Sequence, residues 1–158
     1  MDCLRDFMRR TPQCVTVVAT YVDGVPHGMT VSSFTSVSLE PPLVVVALQR
    51  DTRTCQAILQ SGRFSVNLLG EGQEAVSDIF AYAEHSRRFS QVGYTVKDGV
   101  YPVLDGVVAA LFCRTVDIYG VGDHKLIVGE VAGCEIYSDE LPLIYLQRRY
   151  YGVGAPKS

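Results

Sequence analysis

Two β-forming runs, residues 107–119 and 125–137, flank Gly120-Val121-Gly122-Asp123. They read as the arms of one large antiparallel hairpin, reversed at a Gly- and Asp-containing turn. The rest of the chain has to build around that pair. Residues 15–22 are β-branched and aromatic and read as a strand, and Asp23-Gly24 signals a hairpin turn after it. Residues 26–39 then read as two strands with a bend near 33–36. Pro41-Pro42 breaks the ladder at that point. Residues 43–48, Leu-Val-Val-Val-Ala-Leu, read as a strand buried on both faces. Residues 64–69 and 143–146 supply two more strands.

Helical spacing is confined to three short stretches. Leu4, Phe7 and Met8 give residues 3–10 an apolar stripe, ended by Thr11-Pro12. Residues 55–60 form a helix that either Thr52 or Thr54 can cap and that Ser61-Gly62 stops. Residues 71–80 form the third, and residues 81–93 read as an irregular loop. Strands outnumber helices and several are consecutive. The expected fold is mainly β: a small antiparallel barrel with flanking helices. The 158 residues suffice for one domain, 1–158, with 152–158 as a flexible tail.

Composition narrows the function. The chain is 47% hydrophobic and 20% charged, and its net charge is −3. No whole-molecule field draws it to nucleic acid or to an anionic membrane. The apolar runs 43–48 and 107–113 are too short to span a bilayer, and Met1-Asp2-Cys3-Leu4-Arg5-Asp6 lacks a signal-peptide core. The cytoplasm is the expected compartment. Five cysteines, Cys3, Cys14, Cys55, Cys113 and Cys134, show no C-x-x-C spacing. That argues against a disulfide framework and against zinc. Cys113 and Cys134 lie in apolar runs and read as small core residues.

Four stretches carry candidate chemistry. In residues 28–39, Thr30, Ser32, Ser33, Thr35 and Ser36 place small donors on both faces of an extended backbone. A large flat polar ligand can approach such a main chain closely; a barrel strand that merely tolerates Ser and Thr is the plainer alternative. Thr52-Arg53-Thr54 opens a helix, where free N–H groups, two hydroxyls and a guanidinium suit a phosphate; a simple N-cap is the alternative. Arg87-Arg88-Phe89 offers further cations beside an anchoring aromatic. Gly122-Asp123-His124 occupies the tip of the large hairpin. His27 and His85 show no recognisable partners. Gly70-Glu71-Gly72-Gln73-Glu74-Ala75 mimics a dinucleotide fingerprint, but Glu71 and Glu74 would set negative charge beside a pyrophosphate. No nucleophile elbow, metal-binding helix or P-loop is present.

Taken together, these stretches resemble the short-chain flavin reductases, the reductase components of two-component flavin-dependent monooxygenases. The resemblance rests on residues 28–42, Thr52-Arg53-Thr54 with Ile58, residues 61–69, Arg88-Phe89, and Gly122-Asp123-His124 with Gly129-Glu130-Val131. It runs from about Phe7 to Tyr151, with the blocks in family order. It implies an FMN-binding split barrel, a homodimer, and flavin near the subunit interface. By resemblance, Thr30, Val31, Ser32 and Ser33 line the isoalloxazine, and Gln49 faces the ribityl chain or ring. Thr52 and Thr54 hold the phosphate with Arg53 near, and Arg88 and Phe89 close over the phosphate or, in members that bind FAD, over the adenylate. His124 contacts the nicotinamide nucleotide, which Tyr150, beside Arg149, also reaches.

The implied activity is hydride transfer from NADH or NADPH to FMN or FAD, with the reduced flavin passing to a partner monooxygenase. Such chemistry asks for no strong protein acid or base, because the cofactors supply the reactivity. The protein has to hold two rings in contact, with the reacting atoms about 3–3.5 Å apart, and place donors where charge develops. Two other classes fit the same residues: a flavin carrier without turnover, and a flavin enzyme acting on a biosynthetic intermediate. Gly122-Asp123-His124 favours the reductase, since a carrier needs no nicotinamide contact.

Overall fold

A computed structural model describes the chain from Met1 to Ser158. Helix α1 (Asp2–Arg9) leads into a short β1 (Gln13–Cys14), and β2 (Thr16–Val22) and β3 (Val25–Val31) form the first hairpin. Its turn residues Asp23 and Gly24 both take positive φ, 50° and 78°, which matches the twist of the strands they join. Next come β4 (Phe34–Leu39), β5 (Pro42–Gln49), α2 (Arg53–Ser61), β6 (Arg63–Leu68) and α3 (Glu74–Tyr82). Two 3₁₀ turns, His85–Arg87 and Phe89–Gln91, precede a small hairpin of β7 (Tyr94–Lys97) and β8 (Tyr101–Leu104). The long arms are β9 (Ala109–Val121) and β10 (His124–Ile136), followed by β11 (Ile144–Leu146) and β12 (Arg149–Tyr151). Residues 152–158 are exposed and carry no regular structure.

Seven strands make one sheet in the order β3-β2-β6-β9-β10-β5-β4. Its two edge strands, β3 and β4, are consecutive in the chain and joined only by Ser32 and Ser33. That link folds the sheet back on itself. Ala47 N–H on β5 donates to the Ser33 carbonyl at 3.1 Å, and Ser33 Oγ donates to the Ala47 carbonyl at 2.5 Å. The result is a split barrel whose seam runs through the hydroxyl-rich segment. Pro42 opens β5 opposite Leu39, a position where a strand tolerates proline.

Successive residues of β2 serve two cores, because side chains alternate across a strand. Val18 joins Val46, Phe64 and Ile127 inside the barrel, where Cys55 and Ile58 of α2 seal one end. Val17 and Ala19 face outward to Phe80, Phe89, Phe112 and Leu143. Asn67 docks β8 onto this outer layer. Its amide donates to the carbonyls of Val17 and Pro102 at 3.1 and 3.2 Å, and its Oδ1 accepts from Leu104 N–H at 3.1 Å.

Several expectations need correction. Strand β5 buries only one face, through Val44, Val46 and Leu48; Leu43, Val45 and Ala47 are half-exposed. Helix α3 starts at Glu74 and not at 71, because Gly70 and Gln73 close a turn. Gly70 N–H donates to Gln73 Oε1 at 2.9 Å and Gln73 N–H donates to the Gly70 carbonyl at 3.0 Å. This turn and the donation of Glu71 N–H to the Leu141 carbonyl occupy the N–H groups a dinucleotide would need. Cys113 is buried but Cys134 is exposed, on the outward-facing register of β10. The region expected as loop holds the 3₁₀ turns, and the β7–β8 and β11–β12 hairpins were not legible in the pattern.

Candidate active site

The Ser32-Ser33 link that closes the barrel also forms one wall of a cavity of about 430 Å³. Thr30, Val31, Ser32 and Ser33 line it from the seam, Ala47 and Gln49 from β5, and His124 from β10. The N–H groups of Ser32 and Ser33 make no backbone hydrogen bond, because the ladder of β3 ends before them and that of β4 starts after them. The neighbouring hydroxyls are less free than the sequence implies. Thr30 Oγ1 donates to the Ser77 carbonyl on α3 at 2.7 Å, and Ser33 Oγ is spent on Ala47. The main chain supplies the open donors here, and Thr30 and Ser33 keep only acceptor capacity.

A second cavity, about 530 Å³, adjoins the first through the shared residues Met29, Thr30 and Gln49. Thr52, Arg53 and Thr54 at the start of α2 line it, together with Glu84, His85 and Arg88. Thr52 is the N-cap: its backbone is extended, and its Oγ1 accepts from Cys55 N–H at 3.3 Å and donates to the Gln49 carbonyl at 2.9 Å. The N–H groups of Arg53 and Thr54 have no backbone partner, as expected in the first turn of a helix. Thr54 is only 1% exposed, and its hydroxyl has no partner anywhere in the protein. A buried hydroxyl without a partner is costly and calls for an explanation; Thr115 Oγ1 on β9, away from both cavities, is the other such group. From the opposite wall, Arg88 spends Nε on the Ala83 carbonyl at 3.0 Å and Nη1 on the Gly28 carbonyl at 2.9 Å. These two bonds hold the guanidinium in place and leave Nη2 unassigned.

At the hairpin tip, Gly122 takes φ +57° and reverses the chain between Val121 and His124, which pair directly. His124 Nδ1 lies 2.6 Å from Asp123 Oδ1. The hydrogen bond from His124 lowers the Asp123 carboxyl below its ordinary range, so the carboxylate orients the imidazole. Arg50 reaches the same turn and donates to the Gly122 carbonyl at 2.5 Å.

The fold thus gathers Thr30, Val31, Ser32, Ser33, Gln49 and His124 about one cavity, and Gln49, Thr52, Arg53, Thr54 and Arg88 about the other. Phe89 is not among them. It is buried in the outer core, edge-on to Phe80 and Tyr94 at 4.9 and 5.0 Å between ring centroids. Tyr150 also lies outside both linings; its hydroxyl donates to Asp78 Oδ1 at 2.6 Å and sits 2.8 Å from Ser77 Oγ. The structure adds Arg50, Met29 and His85, for which no local sequence pattern gave a signal.

The sequence matches the flavin reductase like domain over residues 8–154. The chain belongs to the flavin reductase family. As a flavin reductase it is an NAD(P)H:flavin oxidoreductase. It is 36% identical to the reductase component of 4-hydroxyphenylacetate 3-monooxygenase from Thermus thermophilus, over 94% of each chain. It is also 36% identical to the actinorhodin polyketide dimerase of Streptomyces coelicolor, over 93% of this chain and 83% of that one. A solved NADH:FAD oxidoreductase of Streptomyces globisporus, in complex with NAD and FAD fragments, superposes with a TM-score of 0.89. The two share 32% identity over 98% of this chain and 93% of the other. The split barrel of this reductase is therefore the fold of its relatives.

Proposed function

We propose that this reductase takes FMN as its flavin, with the phosphate at the start of α2 and the ring against the Ser32-Ser33 link, and NADH or NADPH as the reductant. The observation that carries the reading is Thr54: a buried, unpartnered hydroxyl beside free helix N–H groups, in a cavity that Arg53 and Arg88 make positive. A phosphate monoester supplies the acceptor that each of these donors lacks. FAD is the alternative flavin.

A bound flavin and nicotinamide supply the hydride chemistry. The chain's own residues position and stabilise. The Ser32 and Ser33 N–H groups are neutral fixed donors for a carbonyl edge and for the negative charge a ring gains on reduction. Gln49, common to both cavities, bridges the ring and phosphate ends. His124, oriented by Asp123, contacts the nicotinamide nucleotide from the open side of the ring cavity. The hydride step requires no acid–base pair.

Four wider features support the biological setting. Relatives named as reductase components support delivery of the reduced flavin to a separate monooxygenase. All five cysteines are free, as suits a reducing cytoplasm, and no helix is long and apolar enough to cross a membrane. Val116, Ile118, Tyr119 and Val121 on β9 and Val37 and Leu39 on β4 are exposed apolar side chains, which suits a homodimer.

The test is NADH and NADPH oxidation by the purified protein with FMN, FAD or riboflavin, alongside flavin binding and light scattering. Flavin-dependent turnover that is fastest with FMN, by a dimer, is expected. Flavin binding without turnover would make the protein a carrier. Preference for FAD would move the phosphate assignment, and a monomer at micromolar concentration would remove the dimer.

A further inference from the structure

Beside the phosphate cavity lies a histidine pair to which no role has been given. His27, on β3, and His85, in the first 3₁₀ turn, are far apart in sequence, yet His27 Nδ1 lies 2.9 Å from His85 Nε2. The rings are tilted by 36° with centroids 5.1 Å apart, so the contact is directed and not a stack. His85 is also part of the cavity wall, between Glu84 and Arg88 and across from Arg53.

The charges around the pair set its protonation. Arg53 projects from α2, and Arg88 and Glu84 from the segment after α3. The Glu84 carboxylate is shared with Ser86 and Arg87. On α3 the nearby acid, Asp78, accepts from Tyr150, and β2 brings no charged side chain to the neighbourhood. Burial, then His27, Arg88 and Arg53, pushes His85 down to about 4. Burial and Arg53 likewise lower His27. At neutral pH both rings are therefore neutral, one donating to the bare nitrogen of the other. A phosphate monoester carries a charge of about −1.5 to −2 at neutral pH. Placed between Arg53 and Arg88, it offsets the positive charge that adds to burial in keeping His85 neutral.

We propose that His85 is a third cationic ligand of the flavin phosphate, becoming protonated as the phosphate enters and held in register by His27, so that the site selects FMN over riboflavin. Resting on the phosphate placement above, this assigns two roles. A protonated His85 has a donor for His27 and a second donor for the ligand, whereas the neutral ring has only one. His27 is a positioning residue: it accepts from His85 and fixes the ring plane. The proton comes from solvent, so binding takes it up, and affinity for a phosphorylated flavin gains as pH falls. A riboflavin complex lacks the anion and shows no such gain.

The test is the ratio of FMN to riboflavin affinity between pH 5 and 8, for the full chain and for His85→Gln and His27→Gln. His85 is followed by NMR with and without FMN. Titration of the phosphate itself weakens FMN at low pH in every variant, so the comparison with His85→Gln isolates the histidine. Between the free value of His85 and the value the ligand raises it to, affinity gains about tenfold for each pH unit below the raised value. An acid-side ratio about tenfold or more above that of His85→Gln is expected, with the His85 midpoint rising on addition of FMN. His27→Gln is expected to keep riboflavin affinity and to shift that midpoint. Parallel ratios for the native chain and His85→Gln, with FMN still preferred, would overturn the proposal and leave the phosphate site standing. Equal binding of FMN and riboflavin at every pH would overturn both.

Discussion

Arg50 and Gly122 are joined by a hydrogen bond of 2.5 Å from the guanidinium to the carbonyl at the hairpin tip, and Arg50 N–H also donates to the Asp123 carbonyl at 3.2 Å. The end of β5 thereby grips the turn that presents His124. Gln49, the residue before Arg50, pairs with His124 across the strands. The first cavity and the hairpin tip that bears His124 are therefore positioned by the same short piece of chain.

Loss of that grip leaves the turn formed but less fixed. Arg50→Ala is expected to raise KM for NADH or NADPH about fivefold, the effect of about 1 kcal/mol for an exposed charge-assisted bond. FMN affinity stays nearly constant. His124→Ala produces a larger loss of the same kind. Steady-state kinetics beside flavin fluorescence titration read both numbers; equal weakening of flavin and nucleotide would contradict the separation of roles.

Thr54 gives a prediction of the opposite sense for stability and binding. Valine matches threonine in shape and removes the unpartnered hydroxyl. Thr54→Val should leave the ligand-free protein as stable or up to about 1 kcal/mol more so, since burying an unsatisfied donor costs about 1–3 kcal/mol. FMN affinity should fall roughly tenfold while riboflavin affinity holds. Urea melts and two flavin titrations decide it.

The His85 ring makes the ligand-free protein acid-sensitive. Its ordinary pKa of 6.5 is lowered to about 4 in the fold. Between those values the unfolded chain binds the proton and the native chain does not, so stability falls as pH drops from 6.5 toward 4. His85→Gln should flatten this part of the pH–stability curve, and saturating FMN should flatten it in the native protein. Denaturant midpoints at half-unit pH steps measure the slope.

Asn67 bonds to three main-chain groups on β2 and β8 from a fully buried position. Asn67→Leu strands the Leu104 N–H at about 1–3 kcal/mol, while the Pro102 carbonyl keeps its bond from Ser65 Oγ at 2.6 Å. A loss of about 1–3 kcal/mol in urea unfolding is expected, with β7–β8 exchanging amide hydrogens faster than the barrel.

Gly129 lies at an irregularity in the β9–β10 ladder, where a methyl group would come within 2.6 Å of Phe64 Cζ and 2.9 Å of Cys113 Cβ. Gly129→Ala should cost about 1–3 kcal/mol by overpacking the barrel interior. Thermal unfolding reads this directly, and Phe64→Leu in the same chain should recover part of it.

Much of this protein was legible because its signals are local. Gly24 and Gly122 mark tight turns, Thr52 and Gly62 bound α2, and the β-branched runs give β2, β5, β6, β9 and β10. The resemblance pointed to two stretches, and the fold brings most of their residues to adjoining cavities. Other parts gave no signal. The β11–β12 turn uses Gln147 and Arg148, both at positive φ, where a glycine or asparagine would have been readable. Residues 81–104 hide a hairpin because neither strand exceeds four residues. Phe89, placed by resemblance over the ligand, is claimed instead by the core.

The chain alone determined which segments extend, where they turn, and that a helix starts among the hydroxyls of Thr52 and Thr54, since backbone preference and capping act over a few residues. Only the closed barrel decided which donors stay free. It spends the hydroxyls of Thr30 and Ser33 on neighbouring carbonyls, leaves the N–H groups of Ser32 and Ser33 and the hydroxyl of Thr54 open, and sets His27 against His85. Hydrogen-bond partners chosen across long loops depend on the register of whole strands, which no short stretch of residues encodes.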